Sequence, residues 1–356
     1  MDVAPDSALT HSLLSVADYE QAALARMSSE ALVYIGGGAG DEVTLADNVA
    51  AWGRLALRPR VLVAAGQCDP AVQVLGARRP HPLIVAPTAF QRLVHPDGEI
   101  ATARAAAATG AVMCVSTFAS TGVAALAEAV PDAARWFQLY VLSDRGETRA
   151  MIEAAAHSGY EALVITVDRP VLGLRERELR VRFRDPAAGP TDGGPDRIDA
   201  NLSWDDLAGL AEVAQLPVLL KGVMTAEDAR VAVEHGAAGV IVSNDGGRQL
   251  DGVLAGADAL APIVDEVDGR IDVLVDGGIR RGTDVVKALA LGARAVLVGR
   301  PLTWGLAVAG TDGAQRVIEI LLAELLNALA LVGCPRAADL HRGFLAPAPW
   351  SAGPAR

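Results

Sequence analysis

The stretch VLVDGGIRRGTDVVKALALGARAVLVGR, residues 273–300, decides the fold. It opens on an apolar run and turns on two glycines. It then passes through a helical segment, RGTDVVKALALG, that ends in glycine as helix C-termini often do. It closes on a second apolar run, AVLVGR. Neither run alternates polar with apolar, so both faces are buried, as in a parallel sheet. Working outward, the same kind of run recurs at LIVAP (83–87), VMCVS (112–116), WFQLYV (136–141), ALVITVD (162–168), PVLLKG (217–222) and GVIVSN (239–244). With 273–278 and 295–300 that makes eight, and Ala-rich helical segments lie between them. Eight strands alternating with helices predict an α/β fold of the (β/α)8 barrel type. The expected organisation is one domain over 1–356. It has an N-terminal extension of helices and loops (1–80), the barrel (81–310), and a closing helix and tail (311–356).

Composition narrows the partners. The chain has 356 residues, 51% of them apolar, and a net charge of −12. No basic block is present, which argues against nucleic acid. Mean hydropathy is +0.30, yet the longest uncharged stretch, 105–127, is broken by Gly, Ser and Thr, so no membrane span is expected. The N-terminus has no basic segment before an apolar core, so no secretory signal is read there. Cys68, Cys114 and Cys334 are scattered without metal-type spacing, which predicts free thiols, a cytoplasmic protein and no metal.

Chemistry in such a barrel sits at the C-terminal ends of the strands. Those ends carry Pro87-Thr88-Ala89, Ser116, Gln138 and Tyr140, Thr166 and Asp168, Lys221, Ser243 to Arg248, Asp276 to Arg280, and Gly299-Arg300. The glycines of DGGIRRGTD and GRP let backbone approach a ligand, and the helix starts that follow offer amide N–H groups to a phosphate. Arg280 and Arg300 would add charge. Lys221, alone in an apolar segment, would suit the N1 edge of a flavin, where it stabilises the reduced anion.

Taken together, GGGAGDEVTLADN (36–48), APTAFQRLVHPDGE (86–99), WFQLYVLSDR (136–145), TVDRPVLGLRERE (166–178), LPVLLKG (216–222), SNDGGRQLDG (243–252) and 275–301 resemble the FMN-dependent 2-hydroxy-acid oxidase and dehydrogenase family. That group includes glycolate oxidase, lactate- and mandelate-oxidising enzymes, and hydroxymandelate oxidase, whose form of the 91–99 stretch looks nearest. The resemblance implies FMN over the barrel mouth. Pro87, Thr88, Ala89, Ser116, Gln138, Thr166 and Ser243 would contact the flavin, with Lys221 at its N1 and O2 edge. Asp276, Gly278, Arg280, Gly299 and Arg300 would hold the ribityl chain and phosphate. Arg175 and Arg248 would grip the substrate carboxylate, and Tyr140 would bond its hydroxyl or carboxylate. A homotetramer is implied as well.

Three departures from that family stand out. The family writes S-N-H-G-G-R-Q, with the histidine as general base; here the position is Asp245. Free Asp titrates near ~3.9 and free His near ~6.5, so Asp is the weaker base by roughly 3.5 kcal/mol. Asp168, whose counterpart pairs with that histidine, suggests a proton-sharing pair with Asp245 that lifts one of the two pKa values. Arg169 is the alternative neutralising group. Second, Leu32 stands where a substrate-facing tyrosine is expected, and Tyr34 is expected to point elsewhere. With Phe118 on the same wall, the pocket reads as apolar. Third, the segment between Phe183 and Asn201 is short and Pro/Gly-rich, which predicts a reduced lid.

The function these features imply is oxidation of a small 2-hydroxy carboxylic acid with an aryl or apolar side chain, mandelate-like, to the 2-oxo acid. Asp245, Tyr140 and Asp168 would be catalytic, and oxygen or another acceptor would take the electrons. Two alternatives accompany it. One is oxidation or oxidative decarboxylation of a 2-amino acid, whose ammonium pairs with Asp245. The other is a catalytically silent flavin-binding protein.

Overall fold

The computed structural model describes residues 12–183 and 197–351. Each of the eight apolar runs is a strand: β4 (Leu83–Val85), β5 (Val112–Ser116), β6 (Arg135–Leu139), β7 (Leu163–Thr166), β8 (Val218–Val223), β9 (Gly239–Val242), β10 (Asp272–Val275) and β11 (Ala295–Val298). They close into one barrel in the order β10-β11-β4-β5-β6-β7-β8-β9, and every neighbouring pair is parallel. Leu163, Val164 and Ile165 on β7 are fully buried, as a strand covered on both faces must be.

The helices in chain order are α1 (Val16–Leu24), α2 (Ser29–Gly36), α3 (Val43–Ala50), α4 (Gly98–Thr109), α5 (Val123–Ala129), α6 (Arg145–His157), α7 (Glu176–Arg180), α8 (Asp206–Ala214), α9 (Ala226–Glu234), α10 (Gly256–Val267), α11 (Gly282–Leu291) and α12 (Arg300–Val332). Helix α4 buries Ala101, Ala103, Ala105 and Ala106, small side chains that let α12 pack close against it. Helix α12 is broken at Ala309–Gly310, where Gly310 takes φ 57°, so the eighth barrel helix and the closing helix form one bent unit.

The N-terminal extension holds α1–α3, the strand β1 (Leu55–Leu57) and the hairpin β2–β3 (Val72–Val74, Ala77–Arg79). β1 pairs antiparallel with β12 (Leu345–Pro347), which ties the two ends of the chain together. Among the described residues, no helix is long and apolar enough to cross a membrane. Residues 184–196 of the shortened segment after Phe183 lie outside the described residues, and so does the expectation about its lid.

Candidate active site

A cavity of about 630 Å³ opens at the C-terminal ends of the strands. That size suits a small-molecule or cofactor site, for which ~300–1,000 Å³ is usual. Pro87, Thr88 and Ala89 after β4, Ser116 and Phe118 after β5, and Gln138 and Tyr140 after β6 line one side. Lys221, Asp245, Arg248 and Arg175 line another. Asp276, Gly278, Arg280, Gly299 and Arg300 complete the ring.

The stretch 243–252 distributes its work residue by residue. Asp245 sits in the left-handed region at φ 53°, and its backbone N–H donates to Ser243 Oγ at 3.1 Å. Asn244 and Asn48 exchange side-chain hydrogen bonds of 2.8 and 2.9 Å, which fastens α3 to the barrel. Gly247 must be glycine: its φ is 77°, and a Cβ there would lie 2.6 Å from the Leu45 nitrogen. Gln249 Nε2 donates to Asp245 Oδ2 at 3.0 Å. Asp251 accepts from the Thr44 N–H at 2.8 Å and caps the start of α3.

The two arginines of the expected carboxylate clamp are joined. Arg175 Nε donates to the Arg248 carbonyl at 3.0 Å. Glu178 Oε1 lies 3.2 Å from Arg248 Nη2 and 3.5 Å from Arg175 Nη1. Arg248 also donates to the carbonyls of Tyr34 and Gly37. Glu178 and Gln249 were not picked out from sequence; Glu178 at three residues after Arg175 in RERELR was the available signal.

Tyr34 corrects the sequence reading. It lines the cavity, whereas Leu32 is not on the wall. In a helix, residues two apart point to nearly opposite sides, and α2 turns Tyr34 inward. Its ring stacks on Phe183 at 5.0 Å and meets Phe90 at 5.5 Å, with the Arg248 guanidinium 4.7 Å from its centre. Phe90 continues to Phe118 at 6.2 Å and Phe118 to Tyr140 at 5.6 Å, so five aromatic rings form one wall. The Arg169 guanidinium lies over Tyr140 at 5.0 Å and Phe118 at 5.9 Å.

The expected Asp168–Asp245 pair takes a different form: Asp245 helps to lift the Asp168 pKa, but no hydrogen bond joins the two carboxylates. Asp245 is bonded instead to Gln249 and to Lys221, whose Nζ lies 3.3 Å from Oδ1. Both Asp168 oxygens are buried and accept no hydrogen bond among the described residues. Burial raises the Asp168 carboxyl to about 7, Lys221 opposes this, and Asp245 and Asp276 add to it. Burial pushes Asp245 the same way, but Lys221, Arg248 and Arg175 outweigh it and bring it down to about 2. The lifted carboxyl is therefore Asp168, and Asp245 is the anion. Lys221 is buried, which disfavours its charge, yet Asp276, Asp245 and Asp168 raise it well above the ordinary lysine value.

Four further placements differ from expectation. Thr166 borders a smaller neighbouring cavity of about 230 Å³ rather than the main one. Ser243 is fully buried behind Asp245, where it positions that residue instead of lining the wall. The amides that lead into α11, from Arg280 to Gly282, are taken by carboxylates. Asp284 Oδ2 accepts from Arg280 N and Arg281 N at 3.0 Å each, and Glu324 accepts from Gly282 N at 2.8 Å. Arg300 likewise spends donors on the carbonyls of Ile35, Gly246 and Gly37 at 2.8, 2.9 and 2.9 Å, which makes it a strut between α2 and the barrel.

The remaining features fit FMN. Gln138 Nε2 and Asp276 Oδ1, on lining residues, are buried without a hydrogen-bond partner in the described structure, and a ring with polar edges would satisfy them. Gly278, at φ 77°, lets the turn run against Asn48, since a Cβ would lie 1.7 Å from the Asn48 oxygen. Arg280, braced over Trp304 at 4.8 Å, carries positive charge at the phosphate end. Among the described residues there is no metal-binding cluster.

Comparison with known proteins agrees. The model of the FMN-dependent dehydrogenases matches residues 23–347. An L-lactate oxidase of Nostoc sp. (strain PCC 7120 / SAG 25.82 / UTEX 2576) is 45% identical, over 93% of this chain and 98% of its own length. The 2-hydroxyacid oxidase 1 of Homo sapiens is 44% identical, over 90% of this chain and 93% of its own. A solved mandelate oxidase with benzoyl-formic acid superposes with TM-score 0.86 at 40% identity, over 94% of this chain and 98% of that one. An oxidised active mutant of (S)-mandelate dehydrogenase gives TM-score 0.89 at 36% identity, over 94% of this chain and 99% of that one. The chain belongs to the FMN-dependent 2-hydroxy-acid oxidase and dehydrogenase family, with FMN as its cofactor.

Proposed function

We propose that this enzyme oxidises a 2-hydroxy carboxylic acid bearing an aryl or apolar side chain to the 2-oxo acid. The observation that carries this reading is the placing of Arg175 and Arg248, linked at 3.0 Å, on the same cavity as Asp245 and a wall of aromatic rings. Two guanidinium forks hold a carboxylate in one orientation. The side chain of the acid then lies against Tyr34, Phe118 and Tyr140. Tyr140 is held protonated by burial, so its hydroxyl can donate to the substrate oxygen. Asp245 accepts the hydrogen of the 2-hydroxyl. Lys221, Gln138 and the 87–89 backbone hold the flavin ring, and Arg280 and Gly278 serve the phosphate end. Bound FMN supplies the two-electron acceptor for the Cα hydrogen.

A second reading is favoured by the charge on Asp245. An ionised carboxylate with a pKa of about 2 is a poor base but a good partner for an ammonium. A 2-amino acid in place of the hydroxy acid would satisfy it. Anaerobic mixing of the flavoprotein with mandelate and lactate, and with phenylglycine and alanine, separates the readings. Flavin bleaching by the hydroxy acids supports the first, and bleaching by the amino acids alone supports the second. A flavin that stays oxidised with all four contradicts both and leaves a silent flavin-binding protein.

A further inference from the structure

Three carboxylates, Asp168, Asp245 and Asp276, surround one ammonium, Lys221. The lysine is committed to two of them, at 3.3 Å to Asp245 and 3.6 Å to Asp276. Asp168 is left over. Neither of its oxygens reaches solvent or a hydrogen-bond donor among the described residues. An ionised carboxylate in that setting is costly, and the neutral carboxyl is the cheaper state. The backbone makes room for it: Gly222, next to Lys221 on β8, takes φ 111°, and a Cβ there would lie 2.6 Å from the Asp168 Cβ. The other charged or titratable groups facing this cluster among the described residues include Tyr140 after β6, Arg169 beside Asp168, Cys114 on β5 near Lys221 and Asp276, and Arg175, Arg248 and Arg300 around Asp245.

We propose that Asp168 holds the exchangeable proton of this site, neutral when an anionic ligand is bound and ionised when the site is empty at higher pH. It is a positioning residue, acting on ligands through the charge at Lys221 and Asp245 rather than by touching them. Burial and the two neighbouring aspartates place its titration at about 7, where a modest change in site charge moves the proton. The inference rests on the reading of this cavity as the active site. It differs from a base at Asp245, which the same surroundings hold ionised.

The test uses the FMN-loaded protein and two readouts. The first is the infrared carbonyl band of a protonated carboxyl, followed across neutral pH without ligand. The native protein shows a band that fades through about pH 7, and Asp168→Asn lacks it. The second is benzoylformate binding, read from the flavin absorbance. Its affinity falls as pH rises above neutrality, by at most ~10-fold per pH unit for one coupled proton, and Asp168→Asn flattens the profile. Absence of the titrating band in the native protein overturns the proposal, whether or not the variant folds. A band that titrates while benzoylformate affinity ignores it overturns the role assigned to Asp168. A flavin spectrum that never responds to benzoylformate, with the band present, sinks the assignment of the substrate site instead.

Discussion

Lys221 Nζ lies 3.3 Å from Asp245 Oδ1 and 3.6 Å from Asp276 Oδ2, so one buried ammonium holds two carboxylates at the mouth of the barrel. Removing one partner of a buried pair strands the other charge, at a cost of ~3–5 kcal/mol. Lys221→Met is expected to lower the unfolding midpoint by a corresponding amount and to lose flavin. Thermal unfolding and the absorbance of bound flavin measure both. A variant with native stability and full flavin content would show that the pair is not a structural anchor.

Asp168 makes a stability prediction with a definite sign. Its folded pKa, about 7, lies above the ordinary value of 3.8. Between those values the folded state keeps a proton that the unfolded chain has lost. The group therefore costs nothing below about pH 4, and its penalty grows as pH rises to 7. A difference of one pKa unit between folded and unfolded chain corresponds to ~1.4 kcal/mol. Asp168→Asn is expected to gain stability relative to the native protein above neutral pH and not in acid, by denaturant unfolding. The opposite order would mean that Asp168 is ionised and paired.

Tyr34 and Leu32 separate cleanly, because one lines the cavity and the other does not. Tyr34→Ala should weaken binding of an aryl acid by about 1 kcal/mol, roughly 5-fold, through loss of ring contacts. Leu32→Ala should leave that affinity unchanged. Titration of each variant with benzoylformate checks this.

Asp245→His replaces an anion with a group titrating near neutrality. It is expected to raise the rate of flavin reduction by 2-hydroxy acids by ~10-fold or more, since an acceptor matched to the working pH is the better base. The same variant loses any affinity for 2-amino acids that rests on the Asp245 charge. Stopped-flow reduction with both substrate classes reads the two effects together.

What the sequence made legible follows from range. The eight strands were readable because each is a short, mostly apolar run without polar alternation, closed by a polar or glycine-bearing turn, as burial on both faces requires. Arg248 and Lys221 were readable as chemistry at strand ends, and Arg175 through the family resemblance of TVDRPVLGLRERE. The phase of α2 was not: choosing between Leu32 and Tyr34 takes the packing of that helix on Phe90 and Phe183, far along the chain. Glu178 and Gln249 become partners of Arg248 and Asp245 only once the loops after β7 and β9 meet. The exchange of roles between Asp168 and Asp245 depends on which carboxylate Lys221 reaches, a matter of ångströms that no spacing encodes.

The rate of anaerobic flavin reduction by (S)-mandelate in the native protein and in Asp245→Asn tests the reading most directly. A carboxylate that receives the 2-hydroxyl hydrogen should cost ~100-fold or more when replaced by an amide of the same shape. Native-like reduction in Asp245→Asn would contradict it, and so would a native protein whose bound flavin mandelate cannot reduce.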